Sequence, residues 1–306
     1  MAISMTVVIP AYNDAQGLDS MLSSLLACTE SKGWEVIVVN DCSPDNTNEI
    51  LGKFAGRIKV IENEVNLGYG GALKRGILAA ETEWVATVDA DGQHRISDLE
   101  SLAGQAHGNV DAVIGVRDKD SHVTKSRVPG KLVLSKAANF ITGRKIPDIN
   151  CGLRVLRREV MLHIFSITSD KFSFSTSTLI CLLALNCNVV YSRVVVDARI
   201  GTSAVKQVKD GLYTLMLMLR LITLFKPLRV FLPISLFLFS VGAINQLYVF
   251  VVHGLNFTTA TVLSGIGGLI IFFMALIADQ IAGLRRDILF QSFNIKRLSC
   301  NSTHNA

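Results

Sequence analysis

The stretch VATVDADGQH, Val85 to His94, places two aspartates one residue apart at the end of an apolar run. Its first four residues are apolar and β-branched enough to form a buried strand. Two carboxylates this close repel each other unless a cation lies beside them. The stretch therefore predicts a strand that ends in a divalent-cation site at Asp89 and Asp91. A turn in which the aspartates cap backbone amides is the alternative.

The same alternation of strand and helix recurs on both sides of this stretch. The apolar runs MTVVIP, WEVIVVND, IKVIEN and DAVIGVRD are separated by amphipathic stretches of helical length. Continuous apolar strands separated by helices are typical of a parallel sheet that is covered on both faces. We therefore predict an α/β fold, in which ligands bind at the carboxyl ends of the strands.

Two earlier strand ends are polar as well. Pro10, Tyr12 and Asp14 lie at or after the end of the first predicted strand, and Asp41 follows the second. A carboxylate can accept a hydrogen bond from a ribose or a base, and an aromatic ring can pack on the base. Helix capping, by Asn13 or Asp14 after the first strand and by Ser43 or Asp45 after the second, is compatible with that role.

The segment NLGYGGALKRG, Asn66 to Gly76, is rich in glycine. It has neither of the two glycine spacings that are typical of nucleotide-binding loops. Its glycines suit close approach of the backbone to a ligand and close packing of a helix on the sheet equally well. Both interpretations stay open at the level of sequence.

Two long apolar segments follow the predicted α/β region. Val230 to Val252 and Thr258 to Ile277 contain no charged residue, and each is long enough to cross a bilayer. Basic residues precede the first segment and follow the second, whereas the connector HGLNFT has no Lys or Arg. The positive-inside rule thus predicts a transmembrane hairpin with both flanks in the cytoplasm. The alternative, two buried helices of a soluble protein, is disfavoured because core helices seldom lack charge for so long.

The stretch Gly211 to Phe225 is too short to span a membrane and contains Arg220. It predicts a helix that lies in the membrane interface, with a buried helix as the alternative. The predicted organisation is an α/β domain at 1–205, an interfacial region at 206–227, a two-helix transmembrane hairpin at 228–285 and a cytoplasmic tail at 286–306.

Composition narrows the partners. The net charge of +5 suits an anionic membrane surface as well as nucleic acid, but the basic residues cluster near the spans, which favours membrane over nucleic acid. The N-terminal residues lack the pattern of a cleaved signal peptide. Six cysteines without a CxxC pair predict free thiols. Ser264 and Gly268 are spaced to pack helices together, either within one hairpin or in a homo-oligomer.

Six segments, in this order and spacing, carry a resemblance to a known family: VVIPAYND, VVNDCSPDNT, NLGYGGALKRG, DADGQH, VIGVR and DINCGLRVLRREV. Together they resemble family-two glycosyltransferases of the GT-A fold, in particular the branch that makes dolichyl- or polyprenyl-phosphate sugars. The resemblance covers roughly Thr6 to Val205, and the hairpin is similar to that of bacterial members. It implies a Rossmann-like GT-A domain and an inverting, metal-dependent transfer of one sugar from a UDP- or GDP-sugar to a membrane polyprenyl phosphate.

The resemblance also implies roles for individual residues, of which Asp91, Arg117, Lys131 and Asp148 would act in catalysis. The implied contacts are Pro10, Tyr12, Asp14 and Asp41 for the nucleoside; Asp89, Asp91 and Gln93 for Mg²⁺ or Mn²⁺ and the diphosphate; Arg117, Lys131 and Asp148 for the acceptor; and Arg199 and Lys206 for a loop over the diphosphate. A phosphate monoester is largely a dianion at neutral pH. Asp148 is therefore expected to orient a cation or the acceptor rather than to remove a proton.

Five features depart from the family pattern, among them Asp14, where glutamate is commoner, and GTSAVK, which shifts the usual Ser-Lys pair. Cys42 replaces a usual glycine, and Lys131 replaces an arginine, which exchanges a bidentate fork for a point charge. The stretch FSFSTSTLI has Ser and Thr where the family often has a glutamate. These departures bear on the acceptor side of the site more than on the metal side.

Two other functions are weighed against this one. A processive polysaccharide synthase of the same family would need a Gln-x-x-Arg-Trp motif, but the two tryptophans, Trp34 and Trp84, both lie in the early α/β region. A non-catalytic membrane scaffold that senses a nucleotide is disfavoured by the joint presence of Asp41, the Asp89 and Asp91 pair, and Arg117.

Overall fold

The computed structural model describes residues 3–118, 136, 138–140, 143–197, 207–254 and 256–303, some of those after 206 by their backbone alone. Lys131, Arg199 and Lys206 lie outside the described residues, so their predicted roles stay predictions. The chain divides into two compact units, Met1–Leu217 and Met218–Ala306.

The first unit alternates strands and helices, as the sequence predicts. Its strands are β1 (Met5–Ala11), β2 (Glu35–Asn40), β3 (Lys59–Glu62), β4 (Trp84–Thr87), β5 (Ala112–Arg117), β6 (Arg154–Arg157) and β7 (Val189–Val194). Its helices are α1 (Ala15–Lys32), α2 (Thr47–Gly52), α3 (Tyr69–Ala79), α4 (Ile96–Gln105), α5 (Arg158–Ile164) and α6 (Phe174–Ala184), and α7 (Gln207–Phe225) continues into the second unit.

The seven strands form one mixed sheet in the order β3-β2-β1-β4-β6-β5-β7. The neighbours β3, β2, β1 and β4 are parallel, and β7 is parallel to β5. The expected parallel sheet is therefore correct for these strands, but β6 runs antiparallel to both β4 and β5. The apolar pattern identifies β6 as a strand and carries no information about its direction, because a strand buried on both faces has the same pattern either way.

The direction of β6 determines what lies at the edge where the parallel strands end. Arg154, the first residue of β6, pairs with Thr87, the last residue of β4. The residues just before β6 therefore reach the same edge as the residues just after β4. This arrangement brings Gly152, two residues before β6, against the carboxylate of Asp89.

Both faces of the sheet are covered, as continuous apolar strands require. All seven residues of β1 are buried. Val7 and Ile9 belong to a core cluster with Leu18 and Leu22 of α1. Val8, which points to the other face, lies so close to Gly76 of α3 that a Cβ at Gly76 would overlap its side chain. Helix-to-sheet packing thus accounts for the last glycine of the glycine-rich segment.

The second unit is a helical hairpin of α8 (Leu228–His253) and α9 (Thr259–Thr303). Ser235 Oγ donates a 2.9 Å hydrogen bond to the carbonyl of Gly268, which also packs on the ring of Phe239. Gly242 lies against Ser264 in the same way. Of the two uses of the small residues Ser264 and Gly268 that the sequence left open, the structure shows packing within the hairpin.

The hairpin helices are long and apolar enough to cross a bilayer. The candidate spans are Leu228–His253 and Thr259–Arg285, with mean hydropathies of 1.8 and 2.3, and only 17% and 11% of their most apolar windows are buried. Helices of a soluble core would be mostly buried, so this exposure disfavours that alternative. The apolar surface that they present is what a lipid-facing pair requires.

Candidate functional site

The predicted site residues that the structure describes lie at one edge of the sheet, where the parallel strands end. Tyr12 and Asp14 follow β1, Asp41 follows β2, and Asp89 and Asp91 follow β4. Arg117 is the last residue of β5, and Asp148 precedes the antiparallel β6. Pro10 lies inside β1 and is buried. The sequence therefore predicted correctly that this edge gathers the polar residues.

Asp41 is buried, and its carboxylate holds together three parts of the chain. Its Oδ1 accepts hydrogen bonds from Asn63 Nδ2 (2.6 Å) and the backbone nitrogen of Leu67 (2.8 Å), and its Oδ2 accepts one from the nitrogen of Gly68 (2.8 Å). The end of β2 is thereby tied to the loop after β3 and to the start of α3. This structural role was not apparent from sequence, and the nucleoside contact predicted for Asp41 stays a prediction.

The loops after β1 and β2 are also joined. The first amide of α1, Ala15 N, donates to Asp45 Oδ2 at 3.2 Å, so a residue of the second loop caps this helix. Asp14 instead accepts a 3.4 Å hydrogen bond from the backbone nitrogen of Tyr12. The ring of Tyr12 is 42% exposed, which leaves it accessible to a base. Among the capping candidates predicted from the sequence, Asp45 is therefore the one whose side chain caps α1.

The glycine-rich segment packs against another part of the chain. The nitrogen of Gly71 donates to the carbonyl of Asp170 at 2.9 Å, and a Cβ at Gly70 would overlap the carbonyl of Ser169. Lys74 Nζ reinforces this contact through a 2.6 Å ion pair with the Asp170 carboxylate. The first glycines therefore pack on the loop between α5 and α6, a partner that neither open interpretation had named.

Asp89 is surrounded by three groups of the chain. Tyr69 donates its hydroxyl to Oδ1 at 2.8 Å, and His94 Nε2 lies 3.5 Å from Oδ2. Gly152 is so close that an added Cβ would overlap the carboxylate. Burial, with the charge of Asp89, raises the pKa of Tyr69 well above its usual value of 10, so this hydroxyl keeps its proton. Asp91 is buried, and its Oδ1 accepts from Gln93 N at 3.2 Å.

Gln93 and its neighbours bind the segment that follows β7. Gln93 Nε2 donates to the carbonyl of Asp197 at 2.8 Å, and Asp197 N donates back to the carbonyl of Gln93 at 3.0 Å. Arg95 forms a two-point ion pair with the Asp197 carboxylate. Asp197, which precedes Arg199 by two residues, is therefore bonded to the DADGQH segment.

The side chains at this edge of the sheet can be compared with the ligands that hold a divalent cation in proteins. Among the residues that the structure describes, no three His, Cys, Asp or Glu side chains are arranged to hold a metal ion. Mg²⁺ is typically held by one or two carboxylates together with substrate phosphates, so a complete protein cage is not required. Asp89 and Asp91, two hard oxygen donors on one turn, fit that pattern. The amide of Gln93 is engaged with Asp197, and its metal contact stays a prediction.

Arg117 and Asp148 form a bidentate ion pair. Arg117 Nε donates to Asp148 Oδ2 at 2.6 Å and Nη2 donates to Oδ1 at 2.9 Å, while Asn150 N donates to Oδ1 at 3.1 Å. These hydrogen bonds to Asp148, followed by smaller effects that include the charge of Asp89, raise the pKa of Arg117 above its usual value. Arg117 is thus a fixed cation within electrostatic reach of Asp89.

Arg154 is a buried residue that holds one segment of the site in place, and the sequence did not reveal this role. Its guanidinium donates to three backbone carbonyls, those of Cys151 (2.8 Å), Ser175 (2.6 Å) and Ile149 (3.1 Å). Burial lowers the pKa of Arg154 from its usual value. The guanidinium thereby fixes the segment before β6 against the start of α6.

The Ser and Thr residues of FSFSTSTLI are buried at the start of α6. Thr176 Oγ1 donates a 2.6 Å hydrogen bond to Asn150 Oδ1, two residues after Asp148. Where the family often has a carboxylate, this chain therefore has a hydroxyl that holds the same segment as Arg154.

Two further residues beside Asp89 were missed for identifiable reasons. The spacing of His94 from the other histidines suits no metal site, so the sequence gives it no role, yet its side chain is 6% exposed and contacts Asp89. Tyr69 was counted as part of a glycine-rich loop. One sequence signal does point to Tyr69. The glycines around it lack the spacing of a phosphate-binding loop, so a different role for the tyrosine ring was open.

Two family models match the chain. The model of Glycosyl transferase family 2 matches residues 6–165, from β1 to the end of α5, and the model of the GtrB C-terminal hairpin matches residues 226–284. The two matches correspond to most of the sheet and to the candidate spans.

Named relatives match between half and two thirds of the chain. A dolichyl-phosphate beta-glucosyltransferase of Trichomonas vaginalis is 32% identical over 180 residues, which is 52% of this chain and 53% of the relative. A dolichyl-phosphate beta-glucosyltransferase of Drosophila melanogaster is 28% identical over 64% of this chain and 67% of its own length. A dodecaprenyl-phosphate galacturonate synthase of Rhizobium johnstonii is 27% identical over 53% and 50%. The chain thus spans about half to two thirds of these relatives.

Solved structures share the fold. Glucosyl-3-phosphoglycerate synthase of Mycobacterium tuberculosis, in complex with Mn²⁺, UDP and phosphoglyceric acid, aligns with a TM-score of 0.57 at 15% identity, covering 72% of this chain and 78% of that one. At this identity the likeness concerns the fold alone.

Proposed function

Because this chain belongs to glycosyl transferase family 2, we propose that it transfers a single sugar from a nucleoside-diphosphate sugar to a polyprenyl phosphate, with inversion at the anomeric carbon. The named relatives that act on dolichyl and dodecaprenyl phosphates support this acceptor class. The matching GtrB hairpin supports a membrane-bound acceptor.

One observation carries the proposal: an anionic centre, Asp89 and Asp91, and a cationic centre, Arg117, lie at the same edge of the sheet. Asp89 and Asp91 suit a cation that binds the donor diphosphate, and Arg117 suits the phosphate of the acceptor. Asp89 contributes to the raised pKa of Arg117, so the two centres lie within electrostatic reach. Sugar transfer between two phosphates needs both centres close together.

On the donor side, Asp89 and Asp91 would hold a divalent cation, Mg²⁺ or Mn²⁺, and the presence of Mn²⁺ with UDP in a protein of the same fold supports this assignment. Such an ion neutralises the charge that develops on the leaving diphosphate. Tyr12, exposed beside the end of β1, would pack on the base. A UDP-sugar is the first donor to test.

On the acceptor side, Arg117 would bind the phosphate, and Asp148 would hold Arg117. Both oxygens of Asp148 already accept hydrogen bonds from Arg117, and the carboxylate is buried. A carboxylate in this state is a poor base. Because the acceptor is largely a dianion at neutral pH, it needs orientation rather than deprotonation. Lys131 would add a second cation.

We also propose that the catalytic domain (1–205) and both termini lie in the cytoplasm. The interfacial region (206–227) would lead into the hairpin (228–285), which leaves 286–306 as a cytoplasmic tail. The basic residues that flank the spans, and their absence from the short connector, support this orientation.

The test uses the full chain in lipid with Mn²⁺ or Mg²⁺, a panel of UDP- and GDP-sugars, and undecaprenyl phosphate. The expected result is a chloroform-extractable lipid with one sugar, whose anomeric configuration by NMR is opposite to that of the donor. Asp91→Asn should abolish transfer, whereas Asp19→Asn, a matched change at an exposed aspartate of α1, should not. Consumption of nucleotide sugar without a lipid product would contradict the acceptor, and long sugar chains would point to a processive synthase.

A further inference from the structure

The carboxylate of Asp89 is held on several sides before any ligand binds. It follows the last strand residue of β4 by two positions, and its two oxygens face two different side chains. A carboxylate on a turn can otherwise rotate about two torsions, and a cation that binds it must stop that rotation. The contacts of Asp89 therefore bear on how strongly it can bind an ion.

Tyr69 restrains the first oxygen. Its hydroxyl donates to Oδ1 at 2.8 Å, a good distance for a hydrogen bond between oxygens. Its ring stacks on Phe172, with centroids 6.1 Å apart and planes inclined by 17°. The adjacent residue, Gly70, is fixed against the carbonyl of Ser169. The phenol is thus a rigid donor rather than a mobile surface group.

His94 restrains the second oxygen. Its Nε2 lies 3.5 Å from Oδ2, and its side chain is 6% exposed. Within the described part of the chain, its Nδ1 is buried and has no hydrogen-bond partner. Burying a ring nitrogen without a hydrogen-bond partner costs free energy. We expect the contact between His94 Nε2 and Asp89 Oδ2 to offset that cost. The residue that faces His94 across an isolated bridge, Val196, keeps this segment in place.

Gly152 restricts the carboxylate from behind. An added Cβ there would overlap both oxygens of Asp89, so the carboxylate rests directly on the backbone. Thr87 Oγ1, at the end of β4, donates to the carbonyl of Gly152 at 2.6 Å and fixes this surface. Together with Tyr69 and His94, the backbone at Gly152 restricts the orientations open to the Asp89 carboxylate.

We propose that Tyr69 and His94 are positioning residues that fix the Asp89 carboxylate for the divalent cation of the donor site, an inference that rests on the proposed function. Carboxylates that bind metal ions are commonly held by hydrogen bonds from neighbouring groups, and loss of such a group weakens metal binding by about 10- to 100-fold. A carboxylate whose orientation is already set by its neighbours binds a cation without first having to be ordered.

The test measures Mn²⁺ affinity of the full chain in detergent, by the electron paramagnetic resonance signal of free Mn²⁺, with saturating UDP. Tyr69→Phe keeps the stacked ring and removes the hydroxyl. His94→Leu removes the ring nitrogen that contacts Asp89, and His94→Gln supplies an amide nitrogen near the position of Nε2. We expect Tyr69→Phe and His94→Leu each to weaken Mn²⁺ binding by about 10-fold or more, and His94→Gln to stay within about threefold of wild type.

A matched control is His107→Leu, which removes an exposed histidine of the loop after α4 and should leave Mn²⁺ affinity unchanged. Unchanged affinity in both Tyr69→Phe and His94→Leu would overturn the proposal. So would equal losses in His94→Leu and His94→Gln with a matching fall in melting temperature, because that pattern belongs to a purely structural role.

The two proposals fail in different ways. If wild type binds Mn²⁺ with UDP but forms no sugar lipid, the proposed function fails while the roles of Tyr69 and His94 can still be read from affinity. If wild type forms the sugar lipid and the variants bind Mn²⁺ normally, the positioning roles fail while the function stands. Wild type that binds no Mn²⁺ overturns the positioning roles outright.

Discussion

The guanidinium of Arg117 binds the carboxylate of Asp148 through two parallel hydrogen bonds, and the two partners differ sharply in exposure. The side chain of Arg117 is 29% exposed, whereas that of Asp148 is 2% exposed. The anion is therefore hidden beneath the cation that it holds. This arrangement suits a guanidinium that presents its remaining N–H groups to an incoming phosphate.

The pair should behave as one unit when it is mutated. Arg117→Met removes the two-point cationic partner of a buried carboxylate, which we expect to destabilise the first unit by about 3–5 kcal/mol. The double variant Arg117→Met with Asp148→Asn should recover part of that loss, because no charge is left unpaired. Melting temperatures of wild type, both single variants and the double variant provide the measurement. Additive losses would show that the two residues act independently.

Gly152 should not tolerate a side chain. Gly152→Ala places a Cβ on the Asp89 carboxylate, so we expect at least a tenfold loss of Mn²⁺ affinity and of transfer, by analogy with other groups that support metal ligands. Gly104→Ala is the matched control, because nothing lies within 4 Å of its Cβ on α4. That change should stabilise the helix by up to about 1 kcal/mol and leave both measurements unchanged. Equal behaviour of the two variants would contradict the geometry around Asp89.

Cys42 stands in a conformation that favours glycine. Its φ is 60°, in the left-handed region, where the family usually has a glycine. This conformation costs a residue with a side chain about 1–2 kcal/mol. Because glycine also loses more chain entropy on folding, Cys42→Gly should stabilise the protein by a net amount of about 0.5 kcal/mol. Asn13→Gly, at φ 58°, should gain less, since asparagine adopts this region more readily. A fall in melting temperature for Cys42→Gly would contradict the prediction.

Cysteine labelling should separate exposed from buried thiols. Burial raises the pKa of Cys151 to about 12, so its thiol stays protonated as the pH rises through the usual range. Since the thiolate is the reacting form, roughly one molecule in a thousand would be reactive at that position at pH 9. We expect iodoacetamide at pH 7 to 9 to label exposed Cys42 and to leave Cys151 unmodified by mass spectrometry. Denaturation should make both reactive.

The orientation of the hairpin can be tested at its connector. Phe257 is 77% exposed between α8 and α9. In the Cys42→Gly background, we expect Phe257→Cys to react with a membrane-impermeant maleimide added outside intact cells, because the connector lacks the basic residues that retain a loop in the cytoplasm. Labelling that appears only after the cells are opened would reverse the proposed topology.

Most of the architecture followed from local patterns in the sequence. The strand and helix alternation, the polar strand ends and the two apolar spans each depend on residues close together in the chain, so they could be predicted. The direction of β6 could not, because it depends on how Arg154 pairs with Thr87, 67 positions earlier. The same limit explains why the partner of Gly70 was missed: Ser169 is distant in sequence.

The site was predicted in its composition more fully than in its internal contacts. Asp89 and Asp91 were predicted from their residue type at a strand end and Arg117 from the family resemblance, and the structure places all three at one edge of the sheet. The hydrogen bonds from Tyr69 to Asp89 and from Asn63 to Asp41 depend on the tertiary fold. Arg154 was missed because a fully buried arginine is rare, and its sequence context gives no sign that backbone carbonyls will surround it.

The antiparallel course of β6 divides the edge of the sheet between two separate lengths of chain. Asp41 follows β2, and Asp89 and Asp91 follow β4; both strands come early in the sequence. Asp148 instead belongs to the later segment that leads into β6. Insertions and substitutions between β5 and β6 can therefore accumulate without shifting the strands that carry the three aspartates. Under the proposed function, related chains would exchange one acceptor for another over evolutionary time and keep the donor side unchanged.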